Sequence, residues 1–112
     1  MTTVSNKPIS TKPLKLSTTA VTSIVSVAAG EKAKTVTGIA IVSIAATATT
    51  FSVEVYDGTT SFYLASTKAI ASDKGYVYRG PDIVLDPGKS VRVTAANANY
   101  LDAFATYTLG DA

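Results

Sequence analysis

The 112-residue chain contains no cysteine, no histidine and no tryptophan. Without thiolate or imidazole there is no zinc site of sulfur and nitrogen ligands, and no Ser-His or Cys-His catalytic pair. A chain of this length buries enough surface to hold one core without disulfides, so the missing thiols leave the compartment open. Charge is also sparse: 16% of residues are charged and the formal net charge is +2. A field this weak selects neither nucleic acid nor an anionic membrane, and neither is expected as a partner. Long apolar runs are absent too. The longest weakly polar stretch, Gly38 to Ala48, is interrupted by Ser43 and Thr47 and falls well short of the about 20 residues a membrane helix needs. MTTVSNKPISTKP at the N-terminus lacks the apolar centre of a secretory signal. The expectation is a soluble chain without a cleaved leader.

What the chain does contain is small and β-branched residues: 17 alanines, 17 threonines, 12 valines and 11 serines. This composition favours strands over helices. From Leu14 onward apolar residues recur at period two and are interrupted by turn residues, as in an all-β sandwich or barrel. Leu14 and Leu16 flank Lys15 in a short first strand. Val21, Ser23, Val25 and Val27 alternate with Thr22, Ile24 and Ser26 in a second, which ends at AAGEK. Lys34 to Ile44 is apolar on both faces after Gly38, so it is read as a central strand covered twice, the second cover being another subunit, with a bulge expected at the glycine. Phe51, Val53 and Val55 alternate with Ser52, Glu54 and Tyr56. Asp57-Gly58 turns that strand into a hairpin partner, Ser61 to Ala65.

The segment STKAIASDKG reads as a loop or at most a helical turn. Tyr76 to Arg79 and Ile83 to Leu85 are strand pieces split by Gly80-Pro81. Val91 to Ala95 and Tyr100 to Leu109 complete about eight strands. No helix of three turns is visible. The predicted fold is therefore a single antiparallel β-sandwich, jelly-roll-like in strand number, over residues 14–112. Residues 1–13 read as an extended N-terminal arm. Its Lys7 and Lys12, with the adjacent Lys15, have no acidic neighbour in the sequence, so the segment is read either as an arm gripping an acidic surface or as a solvated tail.

The tripeptide Gly88-Lys89-Ser90 resembles the end of a phosphate-binding loop, but the position of the first required glycine is Ile83, and alternation rather than a helix follows. Asp86-Pro87-Gly88 instead spells a β-turn. The eight carboxylates mostly sit at predicted turns, offer no pair to nominate for glycoside hydrolysis, and lack the dense alternation of a calcium loop. No GxSxG elbow or SxxK pair occurs. Neither a catalytic residue nor a cofactor or metal site is nominated, and the chain is expected not to be an enzyme. Six tyrosines remain. Tyr76 and Tyr78 share one face of a strand, where they serve core packing, a protein interface or a sugar platform. Charge is divided along the chain: residues 1–50 carry five lysines against one glutamate, residues 51–112 five basic against seven acidic groups. Such a division favours association between copies.

Three segments, LSTTAVTSIVSVAAGEKAKTVTGIAIVSI, FSVEVYDG and IVLDPGKSVRVTAANA, resemble small all-β virion proteins of tailed bacteriophages. The resemblance spans residues 14–109 and implies a structural role in capsid decoration or cementing, or in the neck or tail, usually within a symmetric homo-oligomer. It implies capsid or neck subunits as partners and a place in the virion, after assembly in the host cytoplasm. The candidate interface residues are Lys7, Lys12, Lys15, Ile39, Ile41, Tyr76 and Tyr78. The competing expectation is a receptor- or carbohydrate-binding module of a phage fibre, with Tyr76 and Tyr78 as its platform.

Overall fold

The computed structural model describes residues 9–109. Among them the chain forms nine strands: β1 (Ile9–Lys15), β2 (Thr22–Ser26), β3 (Lys34–Ser43), β4 (Thr49–Tyr56), β5 (Ser61–Ile70), β6 (Gly75–Val77), β7 (Ile83–Leu85), β8 (Ser90–Ala95) and β9 (Leu101–Leu109). They build two antiparallel sheets. The first runs β1-β9-β3-β6, with β7 also paired to β3; the second runs β2-β8-β4-β5. β6 and β7 pair with the two ends of β3 and are separated by Gly80-Pro81, so together they occupy one interrupted strand position. Counted that way, eight positions fill two four-stranded sheets. The chain passes between sheets at every connection except the β4–β5 hairpin and the β6–β7 break, which is a jelly-roll-like sandwich.

Alternation explains the core. Phe51 and Val53 of β4, Val91, Val93 and Ala95 of β8, and Leu101, Ala103 and Ala105 of β9 all point between the sheets and are buried. Each large side chain buried there contributes about 1.5–3 kcal/mol. Leu16 and Leu85 close the core from the strand ends. The expected bulge in β3 is present: its pairing with β9 shifts register between Val36 and Gly38. A Cβ on Gly38 would lie 2.9 Å from Thr106 Oγ1, so the glycine permits close approach of β9.

Three elements differ from the sequence reading. Residues 9–13 are not a free arm; they form most of β1, which pairs with β9 from Ile9↔Thr108 to Lys15↔Asp102. β5 does not stop at Ala65 but continues to Ile70, through Ser66–Ala69. It lies at a sheet edge, and two register shifts against β4 erase the alternation that would have marked it. In β2 a bulge between Ser23 and Val25 puts both Ile24 and Val25 in the core, while Val21 is left exposed before the strand begins.

The tripeptide at Gly88 lies in a turn. Lys89 N–H donates to Asp86 C=O at 3.0 Å, and Gly88 takes φ 92° at the third position. Lys89 Nζ sits 3.7 Å from Asp86 Oδ2, and Ser90 opens β8. No helix follows whose N-terminus would hold a phosphate.

Candidate interaction surface

The outer face of the first sheet is built from the alternate residues that the core does not use. On β3 the inward positions are Val36, Ile39, Ile41 and Ser43, and the outward ones include Ala40 and Val42. Ile39 and Ile41, expected at a subunit interface, are 2% and 0% exposed inside the chain's own core. The register leaves the outward face of this strand to Ala40 and Val42. The cause is phase: a strand apolar on both faces does not reveal which set points inward.

Paired residues of antiparallel neighbours project to the same side, so the register defines rows across this face. One row reads Pro13, Phe104, Ala40, Val77 across β1, β9, β3 and β6. The next reads Lys15, Asp102, Val42, Gly75, and the row on the other side reads Thr11, Thr106, Gly38. Phe104 is 38% exposed, Val77 52% and Val42 38%, with Ile44 just beyond at 46%. A shallow depression of about 310 Å³, lined by Pro13, Leu14, Lys15, Asp102 and Phe104, lies beside the first of these rows. Its rim carries the only charged residues of the three rows, Lys15 and Asp102, whose Nζ and Oδ1 are 3.0 Å apart. Lys15 has no acid near it in sequence, and the β1–β9 pairing supplies one.

The remaining candidates are dispersed. Lys12 lies on β1 and lines a slot of about 130 Å³ with Ile24, Val25, Ser26, Lys34 and Tyr107. Lys34 Nζ donates to Ser26 C=O there, at 2.7 Å, and lies 5.6 Å from the centre of the Tyr107 ring. Lys7 falls outside the described residues. Tyr76 points inward and packs on Phe51, with ring centres 5.1 Å apart, and burial pushes its phenol above the ordinary range. Tyr78 also packs against the core, and its hydroxyl donates to Pro81 C=O at 3.0 Å. The two rings therefore form no flat exposed pair.

The outer face of the second sheet is held by polar contacts. Arg92 lies 3.8 Å from the centre of the Tyr56 ring, and its Nη2 donates to Glu54 Oε2 at 3.2 Å and to Ser61 Oγ at 3.1 Å. Glu54 is buried beneath this arrangement. A guanidinium stacked on a ring and bonded to a covered carboxylate ties β4, β5 and β8 together. Phe62 and Tyr63 on β5 are exposed, but as consecutive strand residues they point to opposite sides.

The free edges of both sheets are protected. β1 carries Pro13 flanked by Lys12 and Lys15, β5 is bulged twice and carries Lys68, β2 is bulged, and the β6–β7 edge is broken at Gly80-Pro81. These features oppose strand addition.

No family model matches the chain, and no curated protein matches it in sequence. Among solved structures, two crystal structures of a pentameric capsid protein isolated from metagenomic phage sequences are similar to it. They have TM-scores of 0.48 and 0.46 at 16% and 14% identity. In each case 96% of this chain is covered, against 64% and 65% of the capsid chains. The chain thus spans less than two-thirds of their length.

Proposed function

We propose that this chain is a non-enzymatic structural protein of a phage virion, decorating or cementing the capsid through the outer face of its first sheet. The observation that carries the reading is the row Pro13, Phe104, Ala40, Val77, left in water on a face that also exposes Val42, Ile9 and Val84 among its threonines. Apolar surface gains about 25 cal/mol per Å² when covered, and a contiguous exposed patch marks a contact site. With the edges blunted against strand addition, this face is the main apolar surface for association. The segments at residues 14–109 that resemble small tailed-phage virion proteins supply the setting.

A station in the neck or tail would use the same surface and chemistry. A fibre module with a sugar platform is less well supported, because Tyr76 and Tyr78 are turned to the core. The test is incorporation into particles of the phage that carries the gene. Phe104→Asp and Val77→Asp, each checked for a wild-type circular dichroism spectrum, are expected to be lost from purified particles. Incorporation of both folded variants at the wild-type level refutes the assignment of this face.

A further inference from the structure

Resting on that reading, we infer that the slot between the free edges of β1 and β2 receives an acidic side chain of a different virion protein, its carboxylate held by the ammonium groups of Lys12 and Lys34. β1 and β2 each end their sheet, so no further strand crosses the seam between them. Register decides which side chains line it. Lys12 pairs with Ala105, and Ala105 with Ile39, both buried, so Lys12 stands on the inner side of β1. Lys34 pairs with the buried Leu85 and shares the phase of Val36, and Tyr107 pairs with Val36. Two cations and a phenol ring thus come from three strands to one recess of about 130 Å³ on the inner side of the first sheet.

The recess suits an anion on an apolar stem. Lys34 Nζ donates to Ser26 C=O at 2.7 Å and lies 5.6 Å from the centre of the Tyr107 ring, which fixes the ammonium in place. An ammonium carries three N–H donors, and Ser26 uses one. Lys15, Lys89 and Arg92 each have a carboxylate partner, at 3.0, 3.7 and 3.2 Å. Among the described residues neither Lys12 nor Lys34 has one. Ile24 and Val25 also line the slot, and the methylene groups of a glutamate would pack against them. Sites for whole small molecules run to about 300 Å³ or more, so this volume suits a single side chain. A nucleic-acid backbone needs a track of cations rather than two in a recess.

Position ties the slot to the apolar row. Lys12 immediately precedes Pro13, which begins that row on the opposite side of β1. A protein seated on Pro13 and Phe104 therefore reaches the slot around the free edge of one strand. Covered apolar area supplies affinity, while an ion pair at the edge fixes register and rejects partners without a matching acid.

Carbodiimide cross-linking of purified particles tests the inference, because the reagent condenses an amine with a carboxylate in contact with it and leaves no spacer. The Lys15–Asp102 pair, 3.0 Å apart, is the internal control for the reaction. Peptide mass spectrometry should find Lys12 or Lys34 joined to an aspartate or glutamate of another virion protein. Formation of the control link with neither lysine joined to another virion protein overturns the inference. So does a link only to acids of this chain's own sequence, such as Asp111.

A second measurement removes the charges singly. Lys12→Gln and Lys34→Gln each keep an N–H donor, so the bond to Ser26 C=O can persist in the latter. Each variant, with wild-type melting as the check on its fold, should enter particles at least about tenfold less than wild type in direct competition. Wild-type incorporation of both while Phe104→Asp is lost removes the slot and leaves the proposed function standing. Wild-type incorporation of all three refutes both.

Discussion

Single residues define the turns of this fold, and two of them give quantitative expectations. Gly88 has φ 92°, and a Cβ added there meets nothing within 4 Å. The cost of Gly88→Ala is therefore conformational, and chemical denaturation should show a loss of about 1–2 kcal/mol with an unchanged m-value. Asp57 works through hydrogen bonds. Its Oδ1 accepts from the amides of Thr60 at 2.7 Å and Thr59 at 2.9 Å, and these bonds hold the carboxyl below its ordinary value of 3.8. A carboxylate depressed in the folded state stabilises it above the unfolded value, and the benefit disappears as pH falls through the lower folded value. The acid-sensitive window thus lies below about pH 4. An NMR titration should place the Asp57 midpoint under that of an unstructured aspartate, and a midpoint at or above it would show that the turn does not form. The same scale explains why Phe104 was missed in the sequence. In LDAFATYTL it stands between alanines on the side shared with Asp102 and Thr106. An aromatic on the polar phase of a strand was the available signal.

Strands differ in how openly the sequence declares them. β4 and β8 were legible because one face is apolar and the other polar, which fixes both their existence and their phase. The existence of β3 was legible but its phase was not, and this is why Ile39 and Ile41 were nominated where Ala40 and Val42 stand. β1 and the second half of β5 were hidden by a shared cause. Both are edge strands, where threonine, serine, lysine and proline protect a free rim at the expense of a strand signal. β1 leads to a prediction that separates arm from strand. Removing residues 1–13 takes away Ile9 to Pro13 and uncovers the edge of β9 from Phe104 to Thr108. This truncation should lower Tm by about 5 °C or more relative to a truncation ending at residue 8, which leaves β1 whole. Equal melting of the two truncations would mean that β1 contributes nothing to the sandwich.

For the molecule as a whole, the sandwich class, the turn at Gly88 and the absence of imidazole and thiol chemistry could be read from composition and alternation. The interaction surface could not, because it exists only once register aligns residues far apart in sequence. Pro13, Phe104, Ala40 and Val77 come from four strands and share no motif. The central claim is that this row is the working surface of a structural protein. Hydroxyl-radical footprinting tests it most directly, comparing the isolated chain at high dilution with the chain in purified particles. The account predicts that Phe104 and Val77 become protected in particles while Tyr63, on the second sheet, keeps its reactivity. Unchanged modification of Phe104 and Val77 in particles, or protection confined to the second sheet, would contradict it.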